Sequence, residues 1–257
     1  MLVSAFLTYS SAVDHQERVE KFNSWKQLLS KHSISFNANL SFLDFTGSSA
    51  RSLDWQHKGL TNDVLYYENV AIIEKTSKLP FIVDPLGQIV EFMKVHLQPK
   101  KLVVTSFLDD SFVKSLENTM RFGGAILIQD AEYFDPIISR LLNKDFEKVG
   151  GRRLIRLGNR NVDCSPDFKL YLHTRNPSIH ITPFVRSRTT VIDFTLTESS
   201  IETQVLNMTL FHERPDVEQQ RLDLVKLNGE YKDRLKYLES DLLSVLSESK
   251  GNLLDSE

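Results

Sequence analysis

The residues best placed to do chemistry lie in PFIVDPLGQIVEFM, residues 80–93, where an apolar run gives way to a Pro/Gly loop and then to an amphipathic helical pattern. That order of elements is the framework of a phosphate-binding loop. In the pattern GxxxxGK[ST], backbone N–H groups cradle phosphate oxygens, the Lys reaches the terminal phosphates and the hydroxyl holds magnesium. Laid in register, the first Gly falls on Asp84, the second on Ile89, the Lys on Val90 and the Ser/Thr on Glu91, and only Gly87 keeps a glycine inside the loop. Asp84 and Glu91 add negative charge where a triphosphate needs positive charge, and Val90 offers neither a cation nor a donor. We expect no ATP hydrolysis at this loop.

Three further stretches hold polar groups at the ends of apolar runs. AILIQDAE, residues 125–132, places Asp130 where a Walker B element positions its magnesium-linked Asp. The next position, where a hydrolysing enzyme needs Glu, is Ala131, and Glu132 lies one residue beyond. A carboxylate that ends a strand and caps the following turn is the reading we favour over a magnesium ligand. HTRNP, residues 173–177, brings Thr174 and Asn176 to the place of a γ-phosphate sensor, or simply fixes a loop. Arg186 and Arg188, in PFVRSRTTVIDF, stand just before another strand, where a fixed guanidinium can reach a neighbour's nucleotide or serve in a structural ion pair.

Other chemistries find little support. The seven His residues show no HxxxH or HExxH spacing, no GxSxG elbow accompanies the Ser residues, and the single Cys164 excludes an internal disulfide and reads as an inert spectator. A formal net charge of −3 gives no basic field for nucleic acid or an anionic membrane, so we expect neither as partner. No run of about 18 apolar residues appears, and no basic segment precedes the first short apolar one, which argues against a membrane span and a signal peptide. The chain opens inside one helical pattern and ends inside another, so we expect it to belong to a longer polypeptide.

The elements that would position these residues follow from periodicity. Leu2 to Leu29 suits two helical pieces, and residues 33–54 read as a connector containing Asn37, Asn39, Gly47 and Ser48 with room for one more short helix, and Trp55 as a packing anchor. Thr61 is a candidate N-cap for a helix to about Thr76, with Leu65, Asn69 and Ile72 along one stripe and Val64, Ala71 and Ile73 widening it. Strands are predicted at 80–84, 102–107, 125–130, 168–174 and 191–194, with helices at 88–97 and 109–122 between them. Strands alternating with helices predict an α/β fold, a mostly parallel five-stranded sheet covered by helices on both faces. GGRRLIRLGNRN, residues 150–161, reads as a surface hairpin whose four Arg residues form a solvated face or an intersubunit contact.

After Leu196 the character changes. A helix is predicted from near Thr197 or Ser199, carrying Ile201, Val205, Met208 and Phe211, and ends at Pro215. Beyond it Leu224, Tyr231, Leu235, Leu238, Leu242 and Val245 recur at spacings of seven, four, three, four and three, a heptad seam on a long helix. A coiled-coil strand and a core-packing amphipathic helix both remain open.

A degenerate Walker A, a half-kept Walker B, a strand-end sensor and Ser187-Arg188 before the fifth strand together resemble an AAA+ module. The wording goes further: FIVDPLGQIVEF, TSFLDDSFVKSLENTMRFGGAILIQDAEYFDP and above all ERPDVEQQRLDLVKLNGEYKDRLKYLESDLLSVLSESKGNLL are similar to the dynein heavy chain family, at the fifth AAA+ module of its motor ring. The resemblance implies a P-loop-type fold in three parts: a helical lead-in at 1–60, an α/β subdomain at 61–196, and at 197–257 the start of the buttress coiled coil that braces the stalk. It implies a cytoplasmic, cytoskeleton-associated, minus-end-directed microtubule motor in which this module holds no cofactor of its own, while ATP and magnesium act in other modules. Its implied partners are neighbouring AAA+ modules, the stalk, microtubules, a second heavy chain and associated subunits. Arg188, with Arg186 as fallback, would face the nucleotide of the preceding module, and the seam from Leu224 to Val245 would await the buttress's returning strand. A module that retains ADP or ATP without hydrolysis is the alternative.

Overall fold

A computed structural model describes residues 2–37, 41–46, 51–158, 160–195 and 198–248. Asn39, Gly47, Ser48 and Thr197, named above, and the end of the ERPD-to-SKGNLL run lie outside the described residues. Four helices lead in: α1 (Leu2–Tyr9), α2 (His15–Lys31), α3 (Phe42–Thr46) and α4 (Ser52–His57). The body follows as α5 (Val64–Lys75), β1 (Leu79–Val83), α6 (Gln88–His96), β2 (Leu102–Ser106), α7 (Phe112–Phe122), β3 (Ala125–Gln129), α8 (Ser139–Asn143), β4 (Glu147–Val149), β5 (Arg152–Leu157), β6 (Arg160–Asp163), β7 (Lys169–Thr174), α9 (Pro183–Arg188) and β8 (Thr189–Asp193). Among the described residues two helices follow, α10 (Glu198–Glu213) and α11 (Pro215–Glu248).

The main sheet has the order β2-β3-β7-β1-β8, and every neighbouring pair in it is parallel. Alternate residues of its strands feed two cores. Ile82, Leu127, Tyr171 and Ile192 pack with α5, α6 and the lead-in, while Phe81, Val83, Ile126, Ile128, Leu170 and Leu172 pack with α7, α8 and the small sheet. Burial on both faces explains why the strands read as unbroken apolar runs. The lead-in shares the first core: Phe6 stacks on Phe42 at 4.2 Å and Trp55 is fully buried.

Several boundaries differ from the predicted ones for local reasons. Asp63, not Thr61, caps α5, its carboxylate accepting from Leu65 N at 2.9 Å; Thr61 instead donates to Gln88 Oε1 at 3.0 Å. Val64 therefore faces solvent. The helix predicted from Asp109 begins at Phe112, because the Asp109 carboxylate turns back to accept from Ser106 N at 2.7 Å and Thr105 Oγ1 at 2.8 Å. Those two bonds hold its pKa below the usual value. The predicted hairpin is β5–β6, joined by β4 into a three-stranded antiparallel sheet. It is not wholly a surface element: Ile155, Leu157 and Val162 face the second core, and Arg152, Arg153, Arg156 and Arg160 face outward.

Pro215 separates α10 from α11 because it supplies no N–H to continue the first helix. Ile201, Val205, Met208 and Phe211 of α10 are exposed, as are all six seam residues of α11. Near its start α11 touches the body. With the Asn62 amide oxygen turned toward it, Arg221 donates to Asn62 at 3.0 and 3.2 Å.

Candidate functional site

The parallel sheet brings the loops after β2, β3, β7 and β1 side by side at one edge, the edge where open α/β sheets bind ligands. In the loop after β1, Gly87 adopts φ +74°, ψ 10°, a left-handed conformation a glycine takes without strain, and it is the N-cap of α6. The amides at a helix start attract an anion. The chain supplies that anion itself: Asp84, fully buried, accepts from Gly87 N through Oδ1 at 3.0 Å and from Ile89 N through Oδ2 at 2.8 Å. The backbone of Asp84 is also fixed, its N–H donating to Thr174 O at 2.9 Å.

The other loop positions have equally definite places. Ile89 and Val90 are buried in the first core, whereas Glu91 faces solvent and pairs with Lys94 at 2.7 Å. Arg175, at the exit of β7, lies across the loop, with its Nε 3.9 Å from where a Cβ on Gly87 would stand. His173 is fully buried beside the loop, its Nε2 3.8 Å from Asp84 Oδ2. These residues do not fit a magnesium triphosphate. Two amides that could hold a phosphate, those of Gly87 and Ile89, are bonded to Asp84, no cation stands at Val90, and no hydroxyl stands at Glu91.

Asp130 lies just past β3 with φ 52°, exposed, and among the described residues its carboxylate has no hydrogen-bond partner, so it does not cap the following turn as expected. That task falls to Asp135, which accepts from Ile137 N at 2.9 Å. Ala131 is buried and its N–H donates to His173 O at 2.9 Å. Glu132 accepts from Thr174 Oγ1 at 3.4 Å, and Thr174 Oγ1 in turn accepts from Asn176 N at 3.1 Å. Asn176 Oδ1 accepts from Ser178 N at 3.0 Å. Both sensor-like residues therefore fix the loop after β7.

Arg186 and Arg188 end the short helix α9, both exposed, and among the described residues neither guanidinium makes a hydrogen bond or ion pair. The two differ in outlook. Arg186 lines a cleft of about 430 Å³ between α1, the segment from α5 to β1 and the start of β8, whereas Arg188 is not among its lining residues. Cys164 is buried and burial pushes its thiol pKa up, with Arg153 opposing, so it is a poor nucleophile. Among the described residues no cluster of His, Cys, Asp or Glu could hold a metal ion, and no helix is long and apolar enough to cross a membrane.

Sequence reasoning saw Asp84 only as misplaced charge. Its signal was available: an Asp that opens a Pro/Gly turn can accept from the backbone N–H groups that follow it. It missed the partners of the buried Arg18 altogether, because nothing in the pattern of α2 separates Arg18 from the exposed charges around it.

A parallel sheet with a strand–loop–helix of P-loop type and polar groups at the ends of its neighbouring strands defines an α/β module of the AAA+ class. Residues 53–257 match the family model described as the ATP-binding dynein motor region. Over its whole length the chain is 44% identical to the cytoplasmic dynein heavy chain of Neurospora crassa, 41% to that of Dictyostelium discoideum and 40% to that of Drosophila melanogaster. It spans about 6%, 5% and 6% of those proteins. The chain belongs to the dynein heavy chain family, within its motor region.

Proposed function

We propose that this segment is a structural module of a microtubule motor, the fifth of its AAA+ ring, which hydrolyses no nucleotide and passes ring movements through its C-terminal helix to the microtubule-binding stalk. The observation that carries this reading is the Asp84 carboxylate seated on the Gly87 and Ile89 amides, in the place a phosphate would take. The exposed seam of α11, Leu224, Tyr231, Leu235, Leu238, Leu242 and Val245, supports a role as one strand of the buttress coiled coil. Its partners on this reading are the neighbouring modules and the stalk of the same heavy chain, and the parent is a cytoplasmic, cytoskeletal motor that pairs with a second heavy chain and associated subunits. Binding of ATP with magnesium belongs to other modules.

Calorimetric titration of the nucleotide-stripped, folded chain with magnesium-ATP and then ADP tests the proposal. No heat up to millimolar nucleotide is the expected result; a micromolar midpoint would establish a regulatory nucleotide-binding module instead. Arg188 is the residue we assign as arginine finger to the preceding module, supported by its exposed guanidinium, and Arg186 is set aside because it faces a cleft of its own chain. In the complete heavy chain, Arg188→Ala is expected to slow hydrolysis at the preceding site and leave the ring's first site unchanged. Unaltered turnover at the preceding site removes that assignment.

A further inference from the structure

Away from the strand-end loops, one buried polar cluster joins three distant parts of the chain. Arg18, in the first turn of α2, is 1% exposed, a place where a guanidinium survives only with its charge and donors matched. Its NH1 donates to Glu68 Oε2 at 3.1 Å, its NH2 to Asn69 Oδ1 at 2.6 Å and Ser11 O at 3.5 Å, and its Nε to Val13 O at 2.9 Å. Burial lowers the pKa of Arg18 and the Glu68 carboxylate opposes that shift. Asn69 hands the connection on, its Nδ2 donating to Asp193 O at 2.7 Å. The Asp193 N–H then returns to Ser11 O at 3.1 Å, so one carbonyl of the α1–α2 turn accepts from both Arg18 and the end of β8.

The place of this cluster gives it meaning. Asp193 ends β8, and in sequence α10 begins five residues later, at Glu198. The exit is held further by Phe194 N donating to Val83 O at 2.8 Å and by Tyr66 OH donating to Phe194 O at 3.4 Å. An apolar contact would hold the lead-in against α5 while leaving it free to slide. Directional bonds from one planar guanidinium to Glu68, Asn69 and two carbonyls fix angle and register as well.

We infer that Arg18, Glu68, Asn69 and Asp193 form a clasp that makes the lead-in and the root of the C-terminal helices one rigid body, so that a displacement of α1–α2 is delivered to α10 and α11. This inference rests on the relay function proposed above. The lead-in is then an input arm of the module as well as packing for its core.

The test uses the complete heavy chain carrying Arg18→Met with Glu68→Leu, which removes both charges together and leaves neither buried alone. The readouts are the ratio of microtubule affinities with and without nucleotide, and hydrogen exchange in segments 191–195 and 125–129. The expected result is a ratio at least about fivefold closer to one, with faster exchange in 191–195 only. An unchanged ratio overturns the clasp, and so does unchanged exchange in 191–195. A Glu230→Pro chain, its α11 broken, separates the two readings. If it loses the affinity ratio while the clasp variant keeps it, the clasp alone fails; if both keep it, the relay fails and the clasp with it. Should exchange in 125–129 also rise, Arg18→Lys, which keeps the charge but cannot span Glu68 and Asn69 together, is judged by the same outcomes.

Discussion

At the Asp84 loop, the amides of Gly87 and Ile89 are taken up by a carboxylate three and five residues earlier in the same chain. Along α11, the six seam residues from Leu224 to Val245 remain between 52% and 66% exposed. A nucleotide site works by leaving donors and charge unmet until a ligand arrives, and here Asp84 meets two of the loop's donors. A coiled-coil strand works by leaving an apolar stripe unmet, and the helix has left it so. The difference separates two surfaces of the module: a loop whose Gly87 and Ile89 amides are already engaged, and a helix whose apolar stripe is exposed.

The largest effect that would break this contrast is in stability. Ile82→Ala, at a fully buried position in the strand that leads into the loop, should cost about 2–5 kcal/mol in urea unfolding. Leu238→Ala on the seam should stay within about 0.5 kcal/mol in the same measurement. If the seam substitution cost as much as the core one, the helix would be packed on its own body and the contrast would vanish.

Asp84→Ala comes next. It leaves two amides at the start of α6 without their acceptor, at a cost of about 1–3 kcal/mol. Inorganic phosphate should recover part of that loss by taking the carboxylate's place, raising the melting temperature of the variant and not of the unaltered chain. A variant that phosphate leaves unmoved would mean that the loop cradles its own carboxylate and nothing else. Gly87→Ala should cost about 1 kcal/mol through its left-handed backbone alone, since the added methyl meets only the Arg175 side chain at 3.9 Å. A loss well beyond that, by thermal unfolding, would show the loop to be more tightly built than its distances indicate.

Much of this arrangement was legible in the sequence. Five apolar runs, the first three separated by helical patterns at 88–97 and 109–122, announced the parallel sheet, and Pro80 to Met93 announced the strand, loop and helix at its centre. The parts that were not legible are those where a side chain reaches back along the chain or across it. Asp109, accepting from Ser106 N, and Asp63, accepting from Leu65 N, place helix starts away from the predicted ones. Arg18 is the extreme case: its partners Glu68 and Asn69 are 50 and 51 residues away, and periodicity carries no information at that range.

The smallest prediction concerns the ties inside the body. Glu74, in the last turn of α5, pairs with Arg51 at 2.8 Å and His96 at 3.1 Å, joining the lead-in, α5 and α6. Burial raises its pKa, but the His96 hydrogen bond and the Arg51 charge outweigh burial and the net shift is downward. A carboxyl held below its unfolded value contributes stability that is complete above the ordinary Glu range and is lost as pH falls through the lowered one. The unaltered chain should therefore exceed Glu74→Gln by under about 1 kcal/mol at pH 6, and the gap should close by pH 3. Melting temperatures at both pH values check it. A gap that persisted at pH 3 would mean that Glu74 acts through shape or hydrogen bonding rather than charge, and the body would then be held, like the loop, by contacts indifferent to whether that carboxyl is ionised.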